Sequence, residues 1–595
     1  MKYSIFKDFF SILTKHEKIQ FLFSIVLVIF NGIFELFTVG LIAFFARVLI
    51  DPNYGREKLS FFISINVLTD HFIILYFSLV VGIAYFFKNA FGVFDIFHQS
   101  RMIRNISLRV KKQILENISS MKYELFTTKN STDYVSIVQS EVESFFSSGM
   151  IQSLMFISEV FVFFFLVSFV IYLNPKAFFF ILPLILISAF FLKKIVLPFF
   201  ENLGRTQSQY GILSNKSIYQ FFHSFKEILL FQKVSFCVDD FLKKNEHFQK
   251  NYYRQQASTQ VPRFFLEVFF VFIFVCSVAI INGTASDLKH SVSVISSYLY
   301  LGFRLMPSLN RMIGALGNVR SSLPRLQNFL PYYFFQKQNA NAILKNPKFI
   351  FSDNINFQNV SFSYPQSDEC AVKDLSYQFS KNKCIGVVGK TGSGKSTLVD
   401  LFLGLLTPSQ GSILIDGEFL PQTQEWHQKV GYVPQSIYLI DGTIEENIAF
   451  FEYENIDEKA LHFAIHAAQL GALIAKLPQG VQTVVGERGV RLSGGERQRI
   501  AIARALYRNP EVLVFDEATS ALDNETEEKL MDTIYEVSQK RTVIMIAHRL
   551  TTLKRCDEIL MLEHGELKRI TKYEDLIRKN QNFVIAKIPL SFSEI

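Results

Sequence analysis

The sequence predicts a multidomain chain, in which a six-helix α transmembrane domain is followed by an α/β P-loop domain. Three observations carry that prediction. Six apolar runs that meet or approach bilayer length lie before residue 312. The composition turns mixed and glycine-punctuated from about residue 350. There GKTGSGKST, starting at Gly389, follows a short buried-strand pattern. A length of 595 residues exceeds what one core can serve. A mean hydropathy of +0.23 argues against a purely soluble or disordered chain. The 65 Phe beside a single Trp read as filler for a lipid-facing surface.

The apolar runs span 19–50, 72–97, 150–173, 177–197, 263–282 and 291–312. The first is far longer than a signal-peptide core and lacks a small-residue cleavage site after it. The net charge of +8 fits either a nucleic-acid binder or a membrane protein with basic loops, and its distribution decides. Arg101, Arg104, Arg109, Lys111, Lys112, Lys122 and Lys129 fall in the polar stretch 98–149, and a second basic stretch covers 198–262. The intervening loops 51–71, 174–176 and 283–290 hold only Arg56, Lys58, Lys176 and Lys289. This bias places the N-terminus and both long loops in the cytoplasm and removes nucleic acid as a partner. The long loops read as helices continuing beyond the bilayer, with short amphipathic turns at Tyr123–Phe126 and Phe225–Ile228. Cys237, Cys276, Cys370, Cys384 and Cys556 lack CxxC spacing and fit reduced thiols.

In the second half, Cys384–Val388 reads as a buried strand, GKTGSGKST as the loop and the residues after it as an apolar helix. Gly389, Thr391, Gly392, Ser393, Gly394 and Thr397 would let backbone N–H groups close around phosphate oxygens. Lys395 would reach the β- and γ-phosphates and Ser396 would bind Mg²⁺, which makes this a nucleotide-binding domain. A second strand, Val512–Phe515, delivers Asp516 to hold Mg²⁺ through water and Glu517 to polarise the attacking water. LSGGERQR, Leu492–Arg499, opens a helix whose N-terminus favours an anion, with Ser493, Gly494, Gly495 and Glu496 at its start.

With LSGGERQR beside the P-loop, the chain resembles the ATP-binding cassette family, and its order of one membrane half and one cassette resembles a half-transporter of the type IV, or exporter, fold. The resemblance implies ATP and Mg²⁺ as cofactors and a homodimer whose two ATP sites each join the P-loop of one chain to the LSGGERQR of the other. It implies further roles for residues that match family motifs: Tyr364 in FSYP would stack on adenine, and Gln435 in YVPQ would sense Mg²⁺ and signal to the membrane helices. Asp523 in SALD would lie in the dimer-contact loop, His548 in IAHR would sense the γ-phosphate and act in catalysis, and Glu487 in VGERG would touch the intracellular loops. The turns at 123–126 and 225–228 match the family's coupling helices.

The segments VPRFFLE (261–267), YLYLGFRLMPSLNR (298–311) and STLVDLFLGLLTPSQG (396–411) further resemble bacterial lipid-linked oligosaccharide flippases of the protein N-glycosylation type. That resemblance implies a polyprenyl-diphosphate-linked glycan as substrate, its diphosphate engaged by basic residues of the cavity. Arg263, Arg304 and Arg311 match, while Lys88 stands where arginine is expected. LSFFISINVL (59–68) resembles the family's external helix. The expected layout is a cytoplasmic segment 1–18, a transmembrane domain 19–330, a linker 331–349, a cassette 350–580 and a tail 581–595 in a bacterial inner membrane. The expected activity is ATP-driven flipping of that lipid from the cytoplasmic to the outer leaflet. Export of another lipid, a drug or a peptide is the alternative, and an ATP-gated channel a third. A peptide exporter with its own protease is disfavoured, since residues 1–18 leave no room for a peptidase.

Overall fold

The computed structural model describes residues 10–59, 69–173, 190, 192–284, 288–335, 349–365, 367, 369–418, 421–452, 454–518, 524–538, 541–547 and 549–578. The contacts divide the chain into two compact units, one of Met1–Met121 with Lys129–Lys337, the other of Lys122–Thr128 with Gln338–Ile595.

The first unit is built from long helices. α1 (Lys15–Ile50) starts at a reciprocal cap, in which the Thr14 hydroxyl accepts from the Glu17 N–H and the Glu17 carboxylate from the Thr14 N–H. α2 (Asp70–Ser119) runs 50 residues without a break, about 75 Å at 1.5 Å per residue. After a pair of short π-helical turns, Ile137–Glu141 and Phe145–Met150, the chain enters α3 (Ile151–Leu173). α4 (Leu197–His223), α5 (Val234–Thr284) and α6 (Leu288–Tyr333) follow. The second, fifth and sixth apolar runs lie inside helices that continue well beyond them. The fourth run, 177–197, falls mostly outside the described residues, as does 60–68 of the expected external helix. Among the described residues three helices are long and apolar enough to cross a membrane: Lys15–Leu49, Asp70–Ser119 and Ser131–Phe165.

Glycine sets how closely these helices approach. A Cβ on Gly204 of α4 would lie 2.0 Å from the Ser321 carbonyl oxygen of α6, and one on Gly149 would lie 2.4 Å from Ser322 Oγ. Away from the apolar spans the unit has a soluble-style core, with Ile106, Val110 and Ile114 of α2 against Phe145, Phe146 and Phe329. Arg109 ties its ends together, donating to Glu17 at 2.6 Å, to the Ile12 carbonyl at 2.8 Å and to Tyr333 Oη at 2.9 Å. Leu75, Phe86, Phe97 and Val268 stand exposed, as lipid-facing side chains do.

The second unit is an α/β cassette with two sheets. A three-stranded antiparallel sheet orders β2 (Cys370–Ser380), β1 (Asn354–Ser363) and β4 (Gln410–Ile415). A six-stranded sheet has the order β5-β6-β7-β3-β8-β9, with β5 (Val430–Val433), β6 (Val512–Asp516), β7 (Thr542–Ile546), β3 (Cys384–Gly389), β8 (Glu558–Glu563) and β9 (Glu566–Thr571). Its first five strands pair in parallel and only β9 runs antiparallel. The central strands β3, β6 and β7 are almost wholly buried, which is why they read as unbroken apolar runs. Because β3 and β6 are parallel and separated only by β7, their C-terminal ends emerge on one edge of the sheet. This is the edge where ligands bind in open α/β sheets.

Candidate functional site

At that edge the chain turns from β3 through Lys390–Gly394 into α7 (Lys395–Phe402). The turn needs glycine at Gly394, the helix N-cap, whose φ is +95° and where a Cβ would meet the Ala371 carbonyl oxygen at 2.4 Å. Lys395 is buried and its Nζ donates to the Gly389 and Lys390 carbonyls at 2.8 and 3.0 Å, so the ammonium is held inside the loop. Ser393 Oγ is buried and makes no hydrogen bond among the described residues. A glycine-lined turn at a helix N-terminus, a captive ammonium and a hydroxyl with unused bonding capacity fit a phosphate. Tyr364 Oη lies 3.3 Å from Thr397 Oγ1, which brings the expected adenine-stacking ring to the same helix.

β6 ends in Asp516 and Glu517. Asp516 is buried, and its carboxyl is pushed above the usual range by burial and by the neighbouring Glu517 charge, while the Lys395 ammonium opposes the shift. Glu517 adopts φ +52°, an unusual backbone for a non-glycine residue. Its N–H is fixed to the Ile546 carbonyl of β7 at 3.0 Å. Such a conformation costs roughly 1–3 kcal/mol and gathers at functional sites. Gln435 Nε2 donates to Glu517 Oε2 at 2.7 Å, so two residues assigned separate tasks from sequence are joined. Ser396 is exposed at the start of α7. A carboxylate, a hydroxyl and an amide suit a hard divalent ion, which would neutralise phosphate charge there.

The LSGGERQR segment opens α8 (Gly494–Tyr507), with Gly494 and Gly495 in its first turn. Ser493 Oγ accepts from the Glu496 N–H at 3.3 Å and Glu496 accepts from the Ser493 N–H at 2.7 Å. Glu496, expected at the nucleotide, therefore spends its carboxylate on the helix cap and positions the helix start. The S-x-x-E spacing is itself a cap signal that the nucleotide reading passed over. Glu487 begins a short 3₁₀ turn, Glu487–Gly489. Asp523 and His548 lie outside the described residues.

Tyr123–Thr127, the first expected coupling helix, clusters with the cassette. Its Glu124 Oε1 accepts from the Thr407 N–H at 3.0 Å. Burial and the nearby Asp400 raise the Tyr123 hydroxyl pKa. Asp400, on α7, is itself pushed up to about 6 by burial and by Asp516. The second, Phe225–Leu230, belongs to the membrane unit and exposes Phe225, Leu229 and Leu230.

In the membrane unit every described cation of the expected headgroup set has a carboxylate partner, and sequence reasoning named none of the three. Lys88 on α2 pairs with Glu35 on α1. Arg311 on α6 pairs with Glu159 on α3 through Nε, with Nη2 at 3.2 Å from Oε2. Arg263 pairs with Glu267 one turn along α5 at 2.7 Å. The side chain of Arg304 lies outside the described residues. The signal was present in the sequence as single acids inside apolar runs.

Comparison with known proteins gives two family matches. The ABC transporter transmembrane region covers residues 21–303 and the ABC transporter domain covers residues 372–520. The chain is 41% identical over 228 residues to an ATP-dependent lipid A-core flippase of Haemophilus influenzae, a match that spans 38% of this chain and 39% of that protein. It is 43% identical over 229 residues to the leukotoxin export ATP-binding protein LtxB of Aggregatibacter actinomycetemcomitans, covering 38% of this chain and 32% of that one. At 29% identity over 509 residues, 83% of this chain and 85% of the relative, it matches the uncharacterized ABC transporter ATP-binding protein YfiB of Bacillus subtilis. Its fold matches that of a bacterial Atm1-family ABC exporter solved with ATP bound, at TM-score 0.79 and 22% identity over 96% of this chain and 99% of that one.

Proposed function

Since the chain is an ABC exporter half-transporter, one transmembrane region followed by one ATPase cassette, we propose that it is an ATP-driven flippase moving a polyprenyl-diphosphate-linked oligosaccharide from the cytoplasmic to the outer leaflet of a bacterial inner membrane. The observation that carries the substrate reading is the set of basic residues, Lys88, Arg263 and Arg311, on apolar helices, with Arg304 added from sequence. Cations in such helices cost some 2.5–3.5 kcal/mol each on insertion scales, and an anionic headgroup gives them a task. The named flippase of Haemophilus influenzae supports a lipid cargo.

In this reading two copies of the chain form two ATP sites. Gly389, Thr391, Gly392, Ser393, Gly394, Lys395 and Thr397 bind the phosphates of one site, Tyr364 the adenine, and Ser396, Gln435 and Asp516 hold Mg²⁺. Glu517 orients the attacking water, His548 senses the γ-phosphate, and Ser493, Gly494, Gly495, Glu496 and Asp523 close the site from the other copy. Tyr123–Thr127 and Phe225–Leu230 serve as the coupling helices in this reading, with Glu124 of the first bonded to the Thr407 N–H and Phe225, Leu229 and Leu230 of the second exposed. The boundaries 19–330 and 350–580 fit this division of labour.

The test is flipping of a labelled polyprenyl-diphosphate oligosaccharide in proteoliposomes with and without ATP. ATP-dependent movement supports the reading. An active ATPase that moves a lipid A-type lipid and not this substrate would overturn it in favour of a different lipid exporter.

A further inference from the structure

Glu35 and Glu159 sit inside apolar helices where an unpaired carboxylate is expensive, and each is committed to one cation of the expected headgroup set. Glu159 is 8% exposed and also accepts from Ser308 Oγ at 2.7 Å, while Ser308 itself is fully buried. Ser308 and Arg311 are three residues apart on α6, so both reach the same carboxylate from one helix face. The Lys88 and Glu35 side chains are 15% and 18% exposed. The four residues come from four different helices, α1, α2, α3 and α6, and each cation is held in its own neutral pair.

We propose that Glu35 and Glu159 are exchangeable counter-ions of the headgroup site, which neutralise Lys88 and Arg311 until an anionic phosphate group displaces them. The inference rests on the flippase reading for the site's existence and adds the residues that set its affinity and release. A phosphate oxygen must outcompete a carboxylate already hydrogen-bonded to the guanidinium, so binding is weaker than bare cations would give. The same carboxylates return to their partners as the headgroup leaves, which sustains turnover. Selectivity follows as well. A weakly charged anion does not repay a lost pair, whereas a phosphate group, with more charge and more acceptor oxygens than a carboxylate, does.

The test compares wild type, Glu159→Gln and Glu35→Gln in nanodiscs, reading lipid-stimulated ATPase against lipid concentration. Three probes are used: polyprenyl-diphosphate oligosaccharide, lipid A and uncharged polyprenol. For the phosphate lipid that stimulates wild type, either substitution should lower the half-saturating concentration about three- to tenfold and lower the maximal stimulation, because release slows. Polyprenol should show no such shift. The two acids serve separate pairs, so one variant remains informative if the other fails to fold, as judged by size-exclusion chromatography. Unchanged or raised half-saturating concentrations in every folded variant would overturn the counter-ion role, as would an equal shift for polyprenol. If lipid A shows the shift and the polyprenyl lipid stimulates nothing, the counter-ion role holds and the glycan-lipid reading falls.

Discussion

Replacing Glu517 by Gln isolates the step at which ATP is cleaved, and the geometry around the residue sets what each readout should show. Gln has the same shape, and neither side chain relieves the backbone at φ +52°, so the strain is common to both proteins. The Gln435 amide keeps an acceptor, and the 2.7 Å bond loses only its charge assistance, about 0.5–1.5 kcal/mol. The loss of a positioned base should cost about 10²- to 10⁴-fold in hydrolysis, or roughly 3–5 kcal/mol of barrier. A second effect has the opposite sign. The Glu517 charge helps raise the Asp516 pKa, so its removal lets Asp516 stay ionised at lower pH. Magnesium-dependent nucleotide binding in the variant should therefore persist to lower pH than in wild type. Phosphate release and fluorescent-nucleotide binding between pH 5 and 8 measure the two effects separately. Wild-type turnover in the variant would refute the role of Glu517, and an unchanged binding profile would refute the electrostatic link to Asp516.

Three other outcomes follow from the geometry. Glu124→Ala removes the acceptor for the Thr407 N–H, and losing about 1 kcal/mol at that contact should cut lipid-stimulated ATPase about fivefold relative to basal ATPase. Gly204→Ala forces a methyl into the Ser321 carbonyl and should destabilise the membrane unit by about 2 kcal/mol or more, seen as a lower melting temperature in detergent. Asp400 has a raised folded-state pKa, so the stability it confers as a neutral acid is present below the unfolded value near 4 and is lost as pH rises through about 6. Asp400→Asn should thus stabilise the protein by about 1 kcal/mol at pH 7.5, after discounting for solvent screening, with the gain vanishing below pH 4 in melting curves.

The parts of this protein that were legible in its sequence are those where backbone geometry dictates residue type. A loop closing on phosphate needs glycine where φ turns positive, as at Gly394, and buried parallel strands such as Val512–Asp516 need apolar residues throughout. The reach of the helices was legible because the polar stretch 98–149 carries no turn signal before Ser120. What depends on tertiary approach was not legible. Glu159 and Arg311 are far apart in the chain and meet only once α3 packs on α6, and the same holds for Glu35 and Lys88. The capping use of Glu496 went unread because one tetrad, S-x-x-E, serves both a family signature and a helix cap, and only the hydrogen bonds reveal the cap. The left-handed backbone of Glu517 had no sequence signal, since glycine or asparagine is the usual mark of that conformation.

The unbroken length of α2 has a mechanical meaning. It ends at Ser119, three residues before the Lys122–Thr128 segment that clusters with the cassette. An intact α-helix resists bending, so α2 behaves as a beam in which rotation at one end becomes translation at the other. Over about 75 Å, a tilt of about 5° displaces the far tip by about 6–7 Å, more than a full helical turn of rise. A lever of that ratio lets a small tilt at the Ser119 end produce a large displacement at the Asp70 end, with no break inside the helix to absorb it.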